Sequence, residues 1–223
     1  MIELTNVSYN YGGADLLTNV NLQLQPGSFH FLTGPSGAGK TTLLKLCYLD
    51  LMASTGEITV FGKPASAMMR NDIADARRRI GVVHQDCQFL DHLPLTQNLS
   101  LPLEVSNRKE EPGNLEELLT WVGLQQRRDA LPPELSGGER QRAALARAVI
   151  MSPEVIIADE PTGNVDWEMS QRLLELLMEL NKMGKTVLVA THDMNLIRAA
   201  KSGVSARVLR IRDKNVQLAG ADL

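Results

Sequence analysis

Residues 34–41 read Gly-Pro-Ser-Gly-Ala-Gly-Lys-Thr and lie between the apolar run Phe29–Thr33 and a helical pattern that begins at Lys40. A glycine-rich turn of this spacing, leaving a strand and opening a helix, is the phosphate-binding loop pattern in the context that confirms it. It restricts the fold, because strand, loop and helix must follow one another as a unit of an α/β sheet. The glycines let backbone N–H groups close round a chain of phosphates at a helix start. Gly34, Pro35, Ser36, Gly37, Ala38 and Gly39 form this expected cradle. Lys40 is spaced to reach the β and γ oxygens, the Thr41 hydroxyl to bind Mg²⁺, and Thr42 to meet an α-phosphate.

Such a metal also needs a carboxylate at the end of a neighbouring strand. The run Val155–Ala158 is apolar throughout, as expected of a strand buried on both faces, and Asp159 and Glu160 follow it. Asp159 would emerge at the carboxyl end of the strand, where ligands of such sheets bind, and join the Mg²⁺ shell. A second carboxylate beside the first is costly unless it works, and Glu160 is placed to polarise an attacking water.

Around these motifs the pattern alternates. Residues 2–11 and 16–25 read as strands of period two, followed by a Gln-Pro-Gly-Ser turn, and further strands are expected at 56–62 and 80–85. Residues 68–79 read as a helix. From Phe89 to Leu135 the pattern changes to helices interrupted by Leu-Pro-Leu, Glu-Glu-Pro-Gly-Asn and Leu-Pro-Pro-Glu-Leu, the mark of an inserted helical block. Then helix, strand, helix, strand and helix return, and residues 206–220 suggest a closing hairpin. Alternation of this kind implies a mostly parallel sheet covered by helices. The arginines at 77–79 read as a solvated helix face, and Trp121 and Trp167 as packing or interface residues.

Charge narrows the function further. Lys plus Arg is 23 against 26 Asp plus Glu, a formal net charge of −3, which lacks the basic field of a nucleic-acid binder. Cys47 and Cys87 have neither zinc spacing nor a disulfide framework, as in a reducing compartment, and read as small buried hydrophobes. No signal peptide is expected from the alternating start, and no apolar run reaches the roughly 18 residues of a span. A role at a membrane would therefore need a partner as anchor.

With these elements in order, the chain resembles the ATP-binding cassette family of ATPases over essentially its whole length. The markers are the loop at 34–41, Gln85 in Val-Val-His-Gln-Asp, Leu135–Arg142 (Leu-Ser-Gly-Gly-Glu-Arg-Gln-Arg), Ile156–Asp166 and His192 in Ala-Thr-His-Asp. The resemblance implies one domain over 1–223: an α/β core with a mostly parallel sheet, an N-terminal antiparallel β-subdomain and an inserted helical subdomain at about 89–150. It implies ATP and Mg²⁺ as cofactors, hydrolysis to ADP and phosphate, and a head-to-tail homodimer with two ATP molecules sandwiched between the copies. In that dimer Ser136, Gly137 and Gly138 cap the nucleotide held by the other copy, and Asp166 sits in the loop that crosses the interface. Gln85 would touch Mg²⁺ or the water, and His192 would hold the γ-phosphate and orient the water. Tyr11 matches the aromatic that stacks on adenine, with Tyr9 as the alternative.

The bare length, with the stretches Leu32–Leu46, Val-Val-His-Gln-Asp, Leu-Pro-Leu and Ala158–Asp166, is most similar to the branch of the family that serves bacterial cell division. Lipoprotein-release and macrolide-export ATPases, which share Pro-Thr-Gly-Asn-x-Asp, come next, and a soluble cassette protein of DNA repair or translation is the further alternative. The cell-division branch implies a polytopic membrane subunit as partner and a cytoplasmic, peripheral place on the inner face of the membrane. The segment with Phe89, Leu90 and Leu93 is the expected docking surface.

Overall fold

A computed structural model describes residues 1–107, 114–163 and 165–219 of the chain. The Glu-Glu-Pro-Gly interruption expected at 110–113 and Asn164 of the interface loop lie outside the described residues.

The N-terminal sheet is antiparallel and has the order β2-β1-β4-β5, from β1 (Ile2–Tyr9), β2 (Leu17–Leu24), β4 (Thr55–Val60) and the short β5 (Lys63–Pro64). Its strands alternate: Leu22 and Leu24 of β2 face the core while Thr18 and Asn21 face water, as in a sheet solvated on one side. The second sheet has the order β10-β9-β3-β8-β7-β6, with β6 (Ile80–Val83), β7 (Val155–Asp159) and β8 (Thr186–Ala190) running parallel beside β3 (Phe29–Thr33). On the other flank β9 (Ala206–Arg212) is also parallel to β3 and closes an antiparallel hairpin with β10 (Asn215–Leu218). Every residue of β3, β7 and β8 is buried, which is why these strands are mostly apolar, with few polar residues such as His30 and Thr186.

Helix α1 (Lys40–Cys47) packs between the two sheets, and its Leu43, Leu44 and Leu46 join Val20, Val60, Ile157 and Leu188 in one core. The opposite face of the parallel sheet is covered by a second core drawn from helices α3 to α7. Helix α2 (Arg70–Arg78) precedes β6. Between β6 and β7 lie α3 (Leu95–Val105), α4 (Asn114–Trp121) and α5 (Gly137–Val149); α6 (Trp167–Lys182) and α7 (Met194–Ala200) follow.

One local expectation is corrected and another gains detail. Of the two Leu-Pro-Leu stretches, the first leads into α3 with Pro94 as its cap, while the second lies inside it, so Pro102 does not end the helix. Proline removes one helical hydrogen bond, but Leu95 and Leu99 on the same helix are fully buried, and burial on that scale contributes roughly 1.5–3 kcal/mol per side chain. The arginines at 77–79 are exposed, as expected of a solvated face, and two of them also make specific contacts. Arg77 donates to the Leu49 carbonyl at 2.6 Å, and Arg79 pairs with Glu154 at 2.6 Å while lying over the Phe61 ring. These contacts join α2 to the loops at either side, a role that charge periodicity alone does not reveal.

One buried group sets a pH limit on the fold. His30, in the middle of β3, is 2% exposed and its Nδ1 has no hydrogen-bond partner among the described residues. Burial, helped by the nearby Arg207 cation, pulls its pKa from the usual 6.5 to about 4. The unfolded chain therefore takes up a proton that the folded chain refuses, and stability falls as pH drops from 6.5 towards 4. At about 1.36 kcal/mol per pKa unit the loss is on the order of 3 kcal/mol. Urea unfolding of His30→Leu at pH 7.5 and pH 5 should show a smaller acid loss than the parent chain. An equal loss in both would remove His30 as the cause.

Candidate active site

Four neighbouring parallel strands, β3, β8, β7 and β6, all end at the same edge of the sheet. Their succeeding residues are therefore brought together: Gly34 after β3, His192 after β8, Asp159 and Glu160 at β7, and Gln85 after β6. They line a cleft of about 590 Å³ together with Leu16, Pro35, Ser36, Gly37, Gly39, Lys40, Thr41, Thr42 and Gly163.

The loop depends on glycine at its last step. Gly39 has φ +101° and caps α1; a side chain there is strained by conformation, and its Cβ would crowd Leu17 at 3.2 Å and Leu16 at 3.3 Å. The Lys40 ammonium turns back over the loop, donating to the carbonyls of Gly34 at 3.0 Å and Pro35 at 3.4 Å. It also lies 3.5 Å from Glu160 Oε1.

Glu160 is held from both sides. Its other oxygen, Oε2, is 2.9 Å from His192 Nδ1 and 3.4 Å from the His192 backbone N–H. Its φ of +45° is uncommon for a residue with a side chain, and such strain concentrates at working sites. The Glu160 N–H donates to the Ala190 carbonyl at 2.9 Å, which fixes this turn to the end of β8. One carboxylate thus bridges a phosphate-loop lysine and an exposed histidine.

Asp159 differs. It is buried, and its Oδ1 accepts no hydrogen bond from any described residue. Burial pushes its carboxyl above the usual range and the Glu160 charge adds to this, against the pull of the Thr41 hydroxyl and Lys40. A buried anionic oxygen left unpaired, beside the Thr41 hydroxyl and in the same cleft as Gln85, presents hard oxygen donors. No group of three or more His, Cys, Asp or Glu among the described residues is arranged for a metal. This donor set suits Mg²⁺, which takes one or two carboxylates and completes its shell with water and phosphate.

The other expected residues do not line the cleft. Tyr11 is 65% exposed, edge-on to Tyr9, and its hydroxyl is 3.1 Å from Thr42 Oγ1; Tyr9 packs against the core. Ala38 also leans on that core. Ser136 caps α5: its Oγ accepts from the Glu139 N–H at 3.2 Å and Glu139 accepts from the Ser136 N–H at 2.8 Å. Gly137 and Gly138 form the first turn, and Asp166 caps α6 by accepting from the Met169 N–H at 2.8 Å.

Sequence reasoning missed three side chains that hold the segment after Gln85. Asn98, fully buried in α3, accepts from the Leu90 N–H at 2.8 Å and donates to the carbonyls of Leu90 at 3.0 Å and Leu93 at 2.8 Å. Gln141 and Arg147 reach the same loop from α5. The signals were there: a poor helix former on a buried helix face, and an arginine flanked by alanines.

Removing the Asp159 charge separates metal binding from stability. Asp159→Asn should melt no lower than the parent chain without nucleotide, since a buried unpaired charge is lost. The additional stabilisation that Mg²⁺ gives over nucleotide alone should vanish. Calorimetric melting with ATP, with and without Mg²⁺, checks this; a retained Mg²⁺ increment would exclude Asp159 from the shell.

A family model described as ABC transporter matches residues 17–163. The cell division ATP-binding protein FtsE of Haemophilus influenzae is 42% identical over 202 residues, covering 89% of this chain and 93% of the relative. The protein of the same name from Escherichia coli K12 is 40% identical over 216 residues, covering 96% of each. Among solved structures, the dimeric post-hydrolysis state of the ATP-binding cassette MJ0796 bound to ADP and Pi superposes with a TM-score of 0.86 at 32% identity, over 97% of both chains.

Proposed function

The chain belongs to the ABC transporter family, and from that premise we propose that two copies close head to tail on ATP and drive an FtsX-like polytopic membrane subunit in cell division and the control of cell-wall hydrolases. Hydrolysis of ATP to ADP and phosphate is its activity. The observation that carries the mechanism is the placement of Glu160 between Lys40 and His192.

The loop at 34–39 cradles the phosphates through its N–H groups, and Lys40 neutralises their charge. Thr41, Asp159 and Gln85 would hold Mg²⁺, which would supply neutralisation of the phosphate charge. Phosphate competes with Glu160 for Lys40. Glu160 then keeps His192 alone and accepts a proton from the attacking water, while His192 orients the water and the γ-phosphate. Tyr11, exposed and tethered to Thr42, is the platform for adenine. The first turn of α5 with Ser136, Gly137 and Gly138 completes the site of the other copy, and Asp166 crosses between the copies. The dimeric cassette relatives support this arrangement, since one anion-binding helix start lies away from the cleft in its own chain.

Glu160→Gln should bind ATP with Mg²⁺ yet hydrolyse it about 10²–10⁴-fold more slowly, the usual cost of losing an aligned acid or base. The variant should also run as a dimer on a sizing column with ATP and as a monomer without it. Turnover at the parent rate would remove Glu160 from this role.

Among the described residues no helix is long and apolar enough to cross a membrane, so the inner-face location is assigned through the partner. The helical block at about 89–150 carries the docking surface. Leu90 is 43% exposed and its backbone is clamped by Asn98, which supports it as a fixed apolar contact. Leu90→Glu should leave nucleotide binding intact and release the protein from membranes containing the partner, as judged by sedimentation. Continued sedimentation with membranes would exclude this position.

A further inference from the structure

The loop that carries Gln85 is shaped by helix α5. Cys87 (φ +57°) and Gln88 (φ +48°) are consecutive left-handed residues, a conformation rare for residues with side chains. Arg147 spans that turn: Nη1 donates to the Gln88 carbonyl at 2.7 Å, Nη2 donates to the Cys87 carbonyl, and the guanidinium lies over the Phe89 ring at 4.6 Å. No carboxylate among the described residues pairs with it, so its charge is committed to two carbonyl dipoles of one turn. Burial lowers its pKa, in keeping with an enclosed site. Nearer the start of the same helix Gln141, 3% exposed, donates to the Gln85 carbonyl at 3.3 Å, and its Oε1 is unpaired.

Helix α5 is continuous from Gly137 to Val149, a rod of about 20 Å at 1.5 Å per residue. Ser136 caps one end and Arg147 lies near the other. Resting on the reading of Gln85 as part of the hydrolytic site, we propose that Arg147, assisted by Gln141, is a positioning residue that fastens the Gln85 loop to α5. The place of Gln85 in the cleft then follows the helix whose first turn meets the second nucleotide. Engagement at one site is transmitted to the metal and water ligand of the other by a rigid element, with no flexible link between them.

A double-mutant cycle in the full chain tests this, because residues acting through one another are non-additive. Arg147→Met and Gln85→Ala should each lower kcat by about tenfold or more while the KM for ATP stays within about twofold. Arg147→Met introduced into Gln85→Ala should cost less than about a further twofold. Arg147→Lys, which keeps the charge and loses the fork across two carbonyls, should resemble Arg147→Met. Reductions that multiply, or a full rate in Arg147→Met or Arg147→Lys, overturn the proposal. Where Arg147→Met does not fold, Gln141→Met enters the same cycle with the same two outcomes. A parent rate in Gln85→Ala would overturn the reading of Gln85 and this inference with it. A slow Gln85→Ala with multiplying effects overturns this inference alone.

Discussion

The parallel pairing of β3, β8, β7 and β6 is the constraint on which the rest of the molecule depends. In a parallel pair every strand ends at the same edge, so residues far apart in sequence, such as Gly34, Gln85, Asp159 and His192, become neighbours without any contact of their own. Each crossover must travel over a face of the sheet, which is why helices cover both faces and why these strands are apolar at successive positions. The antiparallel N-terminal sheet obeys a different rule. It keeps one face in water, so its strands alternate, and it closes over α1, whose first residues are Lys40 and Thr41.

At that edge the molecule departs from what stability alone would choose. Asp159 has a buried oxygen without a partner, Glu160 takes a left-handed backbone, and Lys40 spends donors on the carbonyls of its own loop. The first two are unfavourable in isolation, and all three fall within one cleft. Charged groups are held with unfilled capacity, and that capacity is what a metal and a triphosphate would use. The Lys40 and Glu160 side chains are nearly buried, so their attraction is not screened as a surface pair would be.

What was legible in the sequence was whatever one short segment decides for itself. The phosphate loop and the strand Val155–Asp159 each carry their cause within a few residues. Contacts between segments were less legible. Arg147 reads as one more charge on a helix until the turn at Cys87 and Gln88 is folded against it, and Arg77 and Arg79 find partners at Leu49 and Glu154 that no periodicity points to. Pro102 was misleading for a related reason: propensity marks it as a breaker, while the burial of Leu95 and Leu99 outweighs one lost hydrogen bond. The different surroundings of Tyr11, exposed, and Tyr9, packed against the core, are likewise set by the fold.

The Ser-Gly-Gly start of α5 answers to two demands that pull in opposite directions. A helix start is most stable when its donors are satisfied, and an anion site is useful only when some are left open. The reciprocal cap between Ser136 and Glu139 uses the Glu139 N–H, the third donor of the turn, and leaves those of Gly137 and Gly138. The hydroxyl of Ser136 accepts in that cap, so its proton is still able to donate outward. Gly138 is then fixed by packing, since a Cβ there would come within 2.7 Å of Met169, in the first turn of the helix that Asp166 caps. Absence of a side chain at one position thus lets the starts of α5 and α6 lie against each other. The two segments that family resemblance assigns to the contact with a second copy are built as one surface, and the helix that presents it continues inward to Gln141 and Arg147.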